Sequence, residues 1–215
     1  MKDVLAWVSN GHSSPQLTGL MGLLSKKNQG AVSGGGGGGG YLNPSKIQSG
    51  SSVRFALLSD QPLEFYECWG QDSEGKSKPF RFVDDPSPSE VEAEMGPNYT
   101  RKMNWDGTDI DPAKFAMAGP VYNFETNSVQ VMSLTHKSLI REIDKLSQME
   151  DYEDILAWDF VLEKEGTGLN TEYNLRIVPR KKTAQKAIED AWAKACDDGF
   201  DINRLMTGGN PFKRD

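Results

Sequence analysis

The stretch from Leu156 to Pro179 reads LAWDFVLEKEGTGLNTEYNLRIVP, and its pattern decides the class of fold. Apolar and aromatic side chains alternate with other residues on each side of a central turn, which is the period of a half-buried β-strand. Gly166 and Gly168 suit the positive φ angles that a tight turn requires. Pro179 has no N–H to donate and is expected to end the second strand. The stretch therefore predicts a β-hairpin.

Similar patterns predict further strands before this hairpin and one helix on either side of it. The predicted strands cover residues 53–59, 63–69, 79–83 and 129–135. Residues 84–97, rich in Pro, Ser and Glu, are predicted to form a loop. Thr135 is expected to cap a helix over residues 136–148, in which apolar residues recur at helical spacing. A second helix is predicted to follow Pro179.

The order of these elements is that of an OB-fold, a five-stranded, partly open barrel. Its helix commonly joins the third and fourth strands, as the helix at 136–148 would here. A generic antiparallel barrel and an α+β sheet have the same element order and remain alternatives. We predict a mainly β fold with two helices, in which an OB-fold core (a five-stranded Greek-key barrel) spans residues 41–182. A C-terminal helix and tail occupy 183–215, with the end from Gly208 onward disordered.

Residues 1–40 are predicted to be an N-terminal arm with a glycine-rich linker. The linker contains seven consecutive glycines, Gly34 to Gly40, and a run of this kind behaves as a flexible coil. It is not a phosphate-binding loop, because no Lys-Ser/Thr pair follows it. The arm carries apolar residues at helical spacing and is expected to dock either on its own core or on a neighbouring copy.

Composition restricts the class of protein. No run of about 18 apolar residues predicts a membrane span, and the N-terminal apolar run is too short for a signal peptide. Cys68 and Cys196 lie far apart, so we expect two reduced thiols in a cytoplasmic compartment. The net charge of −7 disfavours nucleic-acid binding unless the basic residues are clustered, because phosphate contacts need local cations.

Basic residues are clustered, and aromatic residues lie between the clusters. Short basic clusters are often no more than solvated surface, and that alternative stays open for each of them. Proteins that bind single strands use cations to contact phosphates and flat rings to stack on bases, at about 1–3 kcal/mol per base. The candidate DNA-binding residues are Arg54, Tyr66, Trp69, Lys76, Lys78, Arg81, Arg101, Lys102, Trp105, Arg176, Arg180, Lys181 and Lys182.

Other kinds of site have little support in the sequence. Asp106, Asp109 and Asp111 do not match the spacing of an EF-hand loop and are interpreted as turn residues. The 2 His and 2 Cys include no closely spaced pair, whereas a structural zinc site needs four such ligands. No G-x-S-x-G motif and no Cys–His pairing is visible. We predict no catalytic residue, no metal and no cofactor, and therefore a protein that is not an enzyme.

Two segments carry a resemblance to a known family. They are DFVLEKEGTGLNTEYNLRIVP at residues 159–179 and VYNFETNSVQVMSLTHKSL at 121–139. Together they resemble the single-stranded DNA-binding proteins of tailed bacteriophages, the T4-type helix-destabilising proteins and their shorter relatives. The similarity extends over roughly residues 41–182 and is best in the pattern D-F-x5-G-x-G-L-x-T-x-Y. KPFRFV at 78–83 is a weaker match.

The resemblance implies an OB-fold core that coats single-stranded DNA cooperatively during replication, recombination and repair. It also implies an N-terminal arm that contacts the adjacent protomer, further contacts with replication or recombination proteins, and a location in the cytoplasm of the infected bacterial host. This chain departs from the family in two ways. It lacks the ligands of the T4-type zinc site, and its C-terminus, PFKRD, is not a long acidic tail.

The prediction from the sequence is therefore sequence-independent binding of single-stranded DNA, without membrane association. One alternative is a phage structural or assembly protein that acts through protomer contacts and binds no DNA, which the acidic net charge favours. An RNA-binding variant of the same fold is not distinguishable by sequence.

Overall fold

A computed structural model describes residues 40–213, which form a mainly β structure with three α-helices. The predicted arm and linker lie outside the described residues, except for Gly40. The strands are β1 (Tyr41–Leu42), β2 (Ser51–Leu57), β3 (Leu63–Gln71), β4 (Ser77–Phe82), β5 (Thr100–Arg101), β6 (Lys114–Asn123), β7 (Ser128–Leu134), β8 (Trp158–Glu165) and β9 (Glu172–Pro179). The α-helices are α1 (Pro88–Met95), α2 (Lys137–Ser147) and α3 (Lys182–Asp197), and the longest 3-10 helix among the described residues is Ile202–Thr207.

The strand β6 organises the sheet because it pairs along both of its edges. Along one edge it runs antiparallel to β7. Its other edge is shared, since β3 pairs with the first half of β6 and β2 with the second half. The sheet continues from β2 to β8 and β9, while β1 adds a short parallel pairing to β7. On the far side, β3 also pairs with β4 and β5.

The hairpin predicted from the sequence is formed by β8 and β9, which pair antiparallel along their whole length. The second strand ends at Pro179, as expected. Gly166 and Gly168 both have positive φ, at 71° and 58°. The predicted alternation is confirmed at Phe160 and Leu162, which are fully buried on one face of β8.

Two local predictions are wrong. Residues 84–97 are not all loop, because α1 forms within them. Ser87 and Glu90 make a reciprocal capping box, and Pro88 occupies the first turn, where its missing N–H is not needed. Thr135 does not cap the next helix: His136 holds the N-cap position of α2 and makes no side-chain cap bond there.

The main core lies between the inner face of the sheet and α2. Phe55 and Phe160 are cross-strand partners on β2 and β8, and their rings stack with centroids 5.4 Å apart. Leu139 and Ile143 of α2 are buried in the same cluster. These two residues are four positions apart and share one helix face, which is the stripe that the sequence predicted.

The hairpin of β3 and β4, together with α1, has a smaller core of its own, formed by Cys68, Phe80, Val91 and Met95. Burial raises the pKa of the Cys68 thiol above its ordinary value of 9.0, so this side chain packs as a neutral, apolar group. Within residues 40–213, no group of His, Cys, Asp or Glu is arranged to hold a metal ion.

The C-terminal region covers the outer face of the sheet. Ile188 of α3 is buried against Tyr122, and Leu205 is buried against Phe65. Phe212 also packs in the second of these clusters. The disorder predicted from Gly208 onward is therefore wrong for residues 208–213, because an apolar sheet face is available for them to cover. No helix in the described part of the chain is long and apolar enough to cross a membrane.

Candidate nucleic-acid interface

A cleft opens where β3, β4 and β7 approach the segment that follows β1. It has two parts, of about 600 Å³ and about 730 Å³, and Ser45 and His136 line both of them. Both parts together form the cleft. Its lining includes three carboxylates, Glu67, Asp111 and Glu172, and five cationic side chains, Lys78, Arg81, Lys102, Lys114 and Lys164.

Three of the cleft lysines have no acid partner within ion-pair distance among residues 40–213: Lys78, Lys102 and Lys164. The ammonium group of Lys78 lies 5.0 Å from the ring centroid of Phe80. That of Lys164 donates a hydrogen bond of 2.8 Å to the backbone oxygen of Ser45. Because no carboxylate neutralises them, these lysines give the cleft positive charge that is available to an anion.

Glu67 occupies the floor of the cleft and is largely buried, with 8% of its surface exposed. One oxygen of its carboxylate accepts a hydrogen bond of 3.1 Å from the indole N–H of Trp69. The other accepts one of 2.9 Å from Nε of Arg81, which lies directly opposite on β4. The Nη1 of Arg81 also donates to the backbone oxygen of Leu205, at 2.7 Å. Trp69 and Arg81 are thus held in place by one carboxylate.

Three further rings line the cleft. Tyr41 is 38% exposed, and burial raises the pKa of its hydroxyl, with Arg81 acting in the opposite direction. In the second part, the rings of His136 and Tyr173 meet edge to face at 4.8 Å. Burial lowers the pKa of His136, and the charges of Lys164 and Lys114 lower it further. The imidazole is therefore neutral near neutral pH.

Trp105 lies beside the cleft on a loop whose two ends, Lys102 and Asp111, belong to the lining. The backbone N–H of Asp111 donates to the oxygen of Lys102, which closes the loop at its base. Trp105 is 81% exposed. At the tip, the carboxylate of Asp106 accepts hydrogen bonds from the N–H and O–H of Thr108, and these bonds lower its pKa. Asp106 is thus a turn residue, as the sequence predicted.

The structure brings four of the predicted DNA-binding residues into the cleft: Trp69, Lys78, Arg81 and Lys102. Two others, Arg54 and Arg180, are engaged elsewhere. Both donate to the carboxylate of Asp159, which is 0% exposed, at 2.6 Å and 2.8 Å. Arg180 also donates to the backbone oxygen of Trp158. These guanidinium groups balance a buried acid and lie outside the cleft lining.

The remaining candidates are dispersed. Lys181 and Lys182 line a separate surface pocket at the start of α3. Tyr66 meets the ring of Phe115 at 5.7 Å, and Arg101 donates to the backbone oxygen of Asp111. Lys76 is exposed before β4 and Arg176 is exposed on β9. None of these six residues lines the cleft.

Five cleft residues were missed by the sequence reasoning: Tyr41, Lys114, His136, Lys164 and Tyr173. Lys164 and Tyr173 are cross-strand partners near the turn of the β8–β9 hairpin, so the register of that hairpin already paired a cation with a ring. Tyr41 and Lys114 carried no such local signal. They reach the cleft only through the pairing of β1 with β7 and of β3 with β6.

Comparisons of this chain with protein-family models, with curated proteins and with solved structures find no match.

Proposed function

We propose that this protein binds single-stranded DNA without sequence specificity and is not an enzyme. One observation carries the proposal: in the cleft, lysines without an acid partner among residues 40–213 lie together with accessible aromatic rings. Lys78, Lys102 and Lys164 supply charge for phosphates, and Trp69 and Tyr173 supply flat rings for bases. This combination is typical of proteins that bind single strands, since every base has a face that can stack.

Trp105 extends the same chemistry beyond the cleft. Its indole is 81% exposed on a loop anchored at the cleft, so its ring is available to stack on a base. Its neighbour Lys102 has no acid partner in the part of the chain that the structure describes. In the proposed complex, the strand passes the loop tip and enters the cleft beside Trp69, with phosphates toward the lysines.

The strand connections support an OB-fold as the finer description of the core. The consecutive strands β2 and β3 together correspond to the first strand of an OB-fold, because both pair with the same edge of β6. The strands β6, β7, β8 and β9 follow in order, with α2 between β7 and β8. The pairing of β2 with β8 matches that of the first and fourth strands in this topology. β7 and β9 do not pair with each other in the described chain, which agrees with a partly open barrel.

The biological setting follows from the resemblance described above. We propose that the protein coats single strands cooperatively in the cytoplasm of a phage-infected bacterium during DNA replication, recombination and repair. Self-association through the N-terminal arm belongs to the same proposal, and the arm lies outside the described residues. Contacts with replication or recombination proteins are a further part of it.

Tryptophan fluorescence titrated with oligo(dT), at low and at high salt, tests the proposal. We expect saturable quenching that weakens as salt rises, because bound strands displace counterions with a slope of about −0.7 per phosphate contact. The double variant Lys78→Ala/Lys102→Ala should make that slope shallower by about 1.4. Trp105→Ala should remove part of the quenching and leave the salt slope unchanged.

Lys145→Ala is the matched control, because Lys145 is an exposed lysine on α2 that does not line the cleft. It should bind like the wild type. Absence of any response to oligo(dT) at low salt would overturn the proposal and favour an assembly protein that acts through protomer contacts. Equal or tighter binding of an oligo(U) strand would instead identify the RNA-binding variant of the fold.

A further inference from the structure

A carboxylate is an unexpected group on the floor of a cleft that binds anions. Glu67 lies on β3 with Arg81 opposite it on β4 and Lys114 opposite it on β6. Its side chain is 9% exposed, so its charge is poorly screened by water. A negative charge in this position lowers the attraction of the cleft for phosphate. Selection for maximal affinity alone would not place it there.

The hydrogen bonds of Glu67 show what it does in the free protein. Its two oxygens are used by two different partners, the indole N–H of Trp69 and Nε of Arg81. Arg81 is itself only 13% exposed, and its guanidinium lies 5.4 Å from the ring centroid of Phe65. A buried guanidinium without a counter-charge is strongly unfavourable. The ion pair with Glu67 therefore neutralises Arg81 before any ligand arrives.

We propose that Glu67 is a positioning residue that limits the strength of strand binding, an inference that rests on the proposed function. It fixes the indole of Trp69 for stacking, and it keeps Arg81 from acting as a phosphate contact. The strand is then held by Lys78, Lys102 and Lys164. The effect is a cleft that releases a strand more readily than its number of cations suggests.

The variant Glu67→Gln separates charge from shape, because glutamine has the same size and keeps one oxygen acceptor. Arg81 then lacks a counter-charge, and a strand phosphate can supply it. We expect the salt slope of oligo(dT) binding to become steeper by about 0.7 and affinity at about 0.1 M salt to rise by about fivefold. A purely structural role for Glu67 predicts the opposite, weaker binding with no steeper slope.

The double variant Glu67→Gln/Arg81→Gln removes both charges of the ion pair, so neither partner stays buried without the other. It keeps the proposal testable if the single variant fails to fold. The double variant should show the salt slope of the wild type. In the wild type the Glu67–Arg81 pair is already neutral, so it makes no phosphate contact that would release a counterion. Glu67→Asp keeps the charge on a shorter side chain. It should retain the wild-type slope and lose part of the quenching that comes from Trp69.

The outcomes distinguish this inference from the function on which it rests. Failure of the wild type to bind oligo(dT) overturns both. Binding by the wild type, with an unchanged or shallower slope in Glu67→Gln, overturns only the role of Glu67. A double variant whose slope is shallower by about 0.7 does the same, because it shows that Arg81 contacts phosphate despite its partner.

Discussion

At the level of single residues, the predicted cations fall into two groups: those that neutralise a buried acid and those that are available to a phosphate. Arg54 and Arg180 are predicted DNA-binding cations, and Arg180 begins a cluster of three basic residues. Both are bound to the buried carboxylate of Asp159. Lys78 and Lys102 have no such partner in the described part of the chain. A sequence does not distinguish the two cases, because the acid that neutralises an arginine lies on another strand.

Replacement of Asp159 by Ala tests this assignment. The change leaves two partly buried guanidinium groups without their counter-charge, and we expect a loss of about 3–5 kcal/mol in the free energy of unfolding. Urea denaturation followed by circular dichroism measures it. Asp190→Ala is the control, because it breaks an exposed ion pair with Lys186 and should leave the urea midpoint unchanged. Equal effects of the two variants would contradict the assignment.

His136 makes a prediction about pH. Burial, followed by the charges of Lys164 and Lys114, lowers its pKa below the ordinary value of 6.5. The imidazole of His136 therefore binds a proton more readily in the unfolded chain than in the folded chain. The contribution of neutral His136 to the stability of the fold is complete above pH 6.5 and is lost as the pH falls through the lowered pKa. The free energy of unfolding should fall more steeply from about pH 7 to about pH 5 in the wild type than in His136→Gln. Parallel pH profiles would show that His136 is not responsible.

At the scale of elements, the β8–β9 turn depends on glycine at two positions for different reasons. Both Gly166 and Gly168 have positive φ. A Cβ at Gly166 would in addition lie 1.9 Å from the backbone oxygen of Asn170, whereas a Cβ at Gly168 would have nothing within 4 Å. The turn could therefore accept a side chain at Gly168 at the cost of backbone strain alone. At Gly166 the backbone itself must move.

The variants Gly166→Ala and Gly168→Ala form a matched pair. Gly168→Ala should lower the free energy of unfolding by about 1–2 kcal/mol, which is the cost of a left-handed conformation for a residue with a Cβ. Gly166→Ala should lose more, because it adds the contact with Asn170. Thermal unfolding of both proteins measures the difference. A Gly166 variant that is no less stable than the Gly168 variant would mean that the turn relaxes freely.

At the scale of the whole molecule, the C-terminal region is part of the folded core. Leu205 is 2% exposed and packs in one cluster with Phe65 of β3 and Val131 of β7. Its backbone oxygen also holds Arg81, so the same residue supports both the sheet and the cleft. The C-terminal helix and the residues after it therefore pack on the same sheet as the strands before them.

Leu205→Ala tests this connection. The variant removes buried apolar surface and leaves a cavity, so we expect a loss of about 2–5 kcal/mol in the free energy of unfolding. Leu169→Ala is the control, since Leu169 is 83% exposed in the β8–β9 turn and buries little surface. Denaturant titrations of both variants give the comparison. A Leu205 variant as stable as the control would show that the C-terminal region is not integral to the core.

Elements whose signals are local can be predicted from the sequence. The β8–β9 hairpin, the apolar stripe of α2 and the end of a strand at Pro179 all follow from periodicity, turn glycines and a missing N–H. The helix α1 was missed, although its capping box at Ser87 and Glu90 is a local signal too. Proline- and serine-rich composition outweighed that signal in the prediction.

Which charges form the cleft depends on the pairing of strands that are far apart in the chain. Trp69 on β3 and Lys78 on β4 lie on one local hairpin. Lys164 on β8 is distant from them in the sequence, and it belongs to the same cleft because β2 and β6 connect its strand to β3 in the sheet. The long-range pairing of β2 with β8 brings Arg54 to Asp159, whereas Arg180 reaches the same carboxylate from the end of the β8–β9 hairpin. Periodicity indicates which face of a strand is buried, but it does not indicate which strand lies beside it. Whether a cation is available to a ligand depends on that neighbouring strand. A carboxylate on it neutralises the cation, whereas a cation that faces water or an open cleft keeps its charge available.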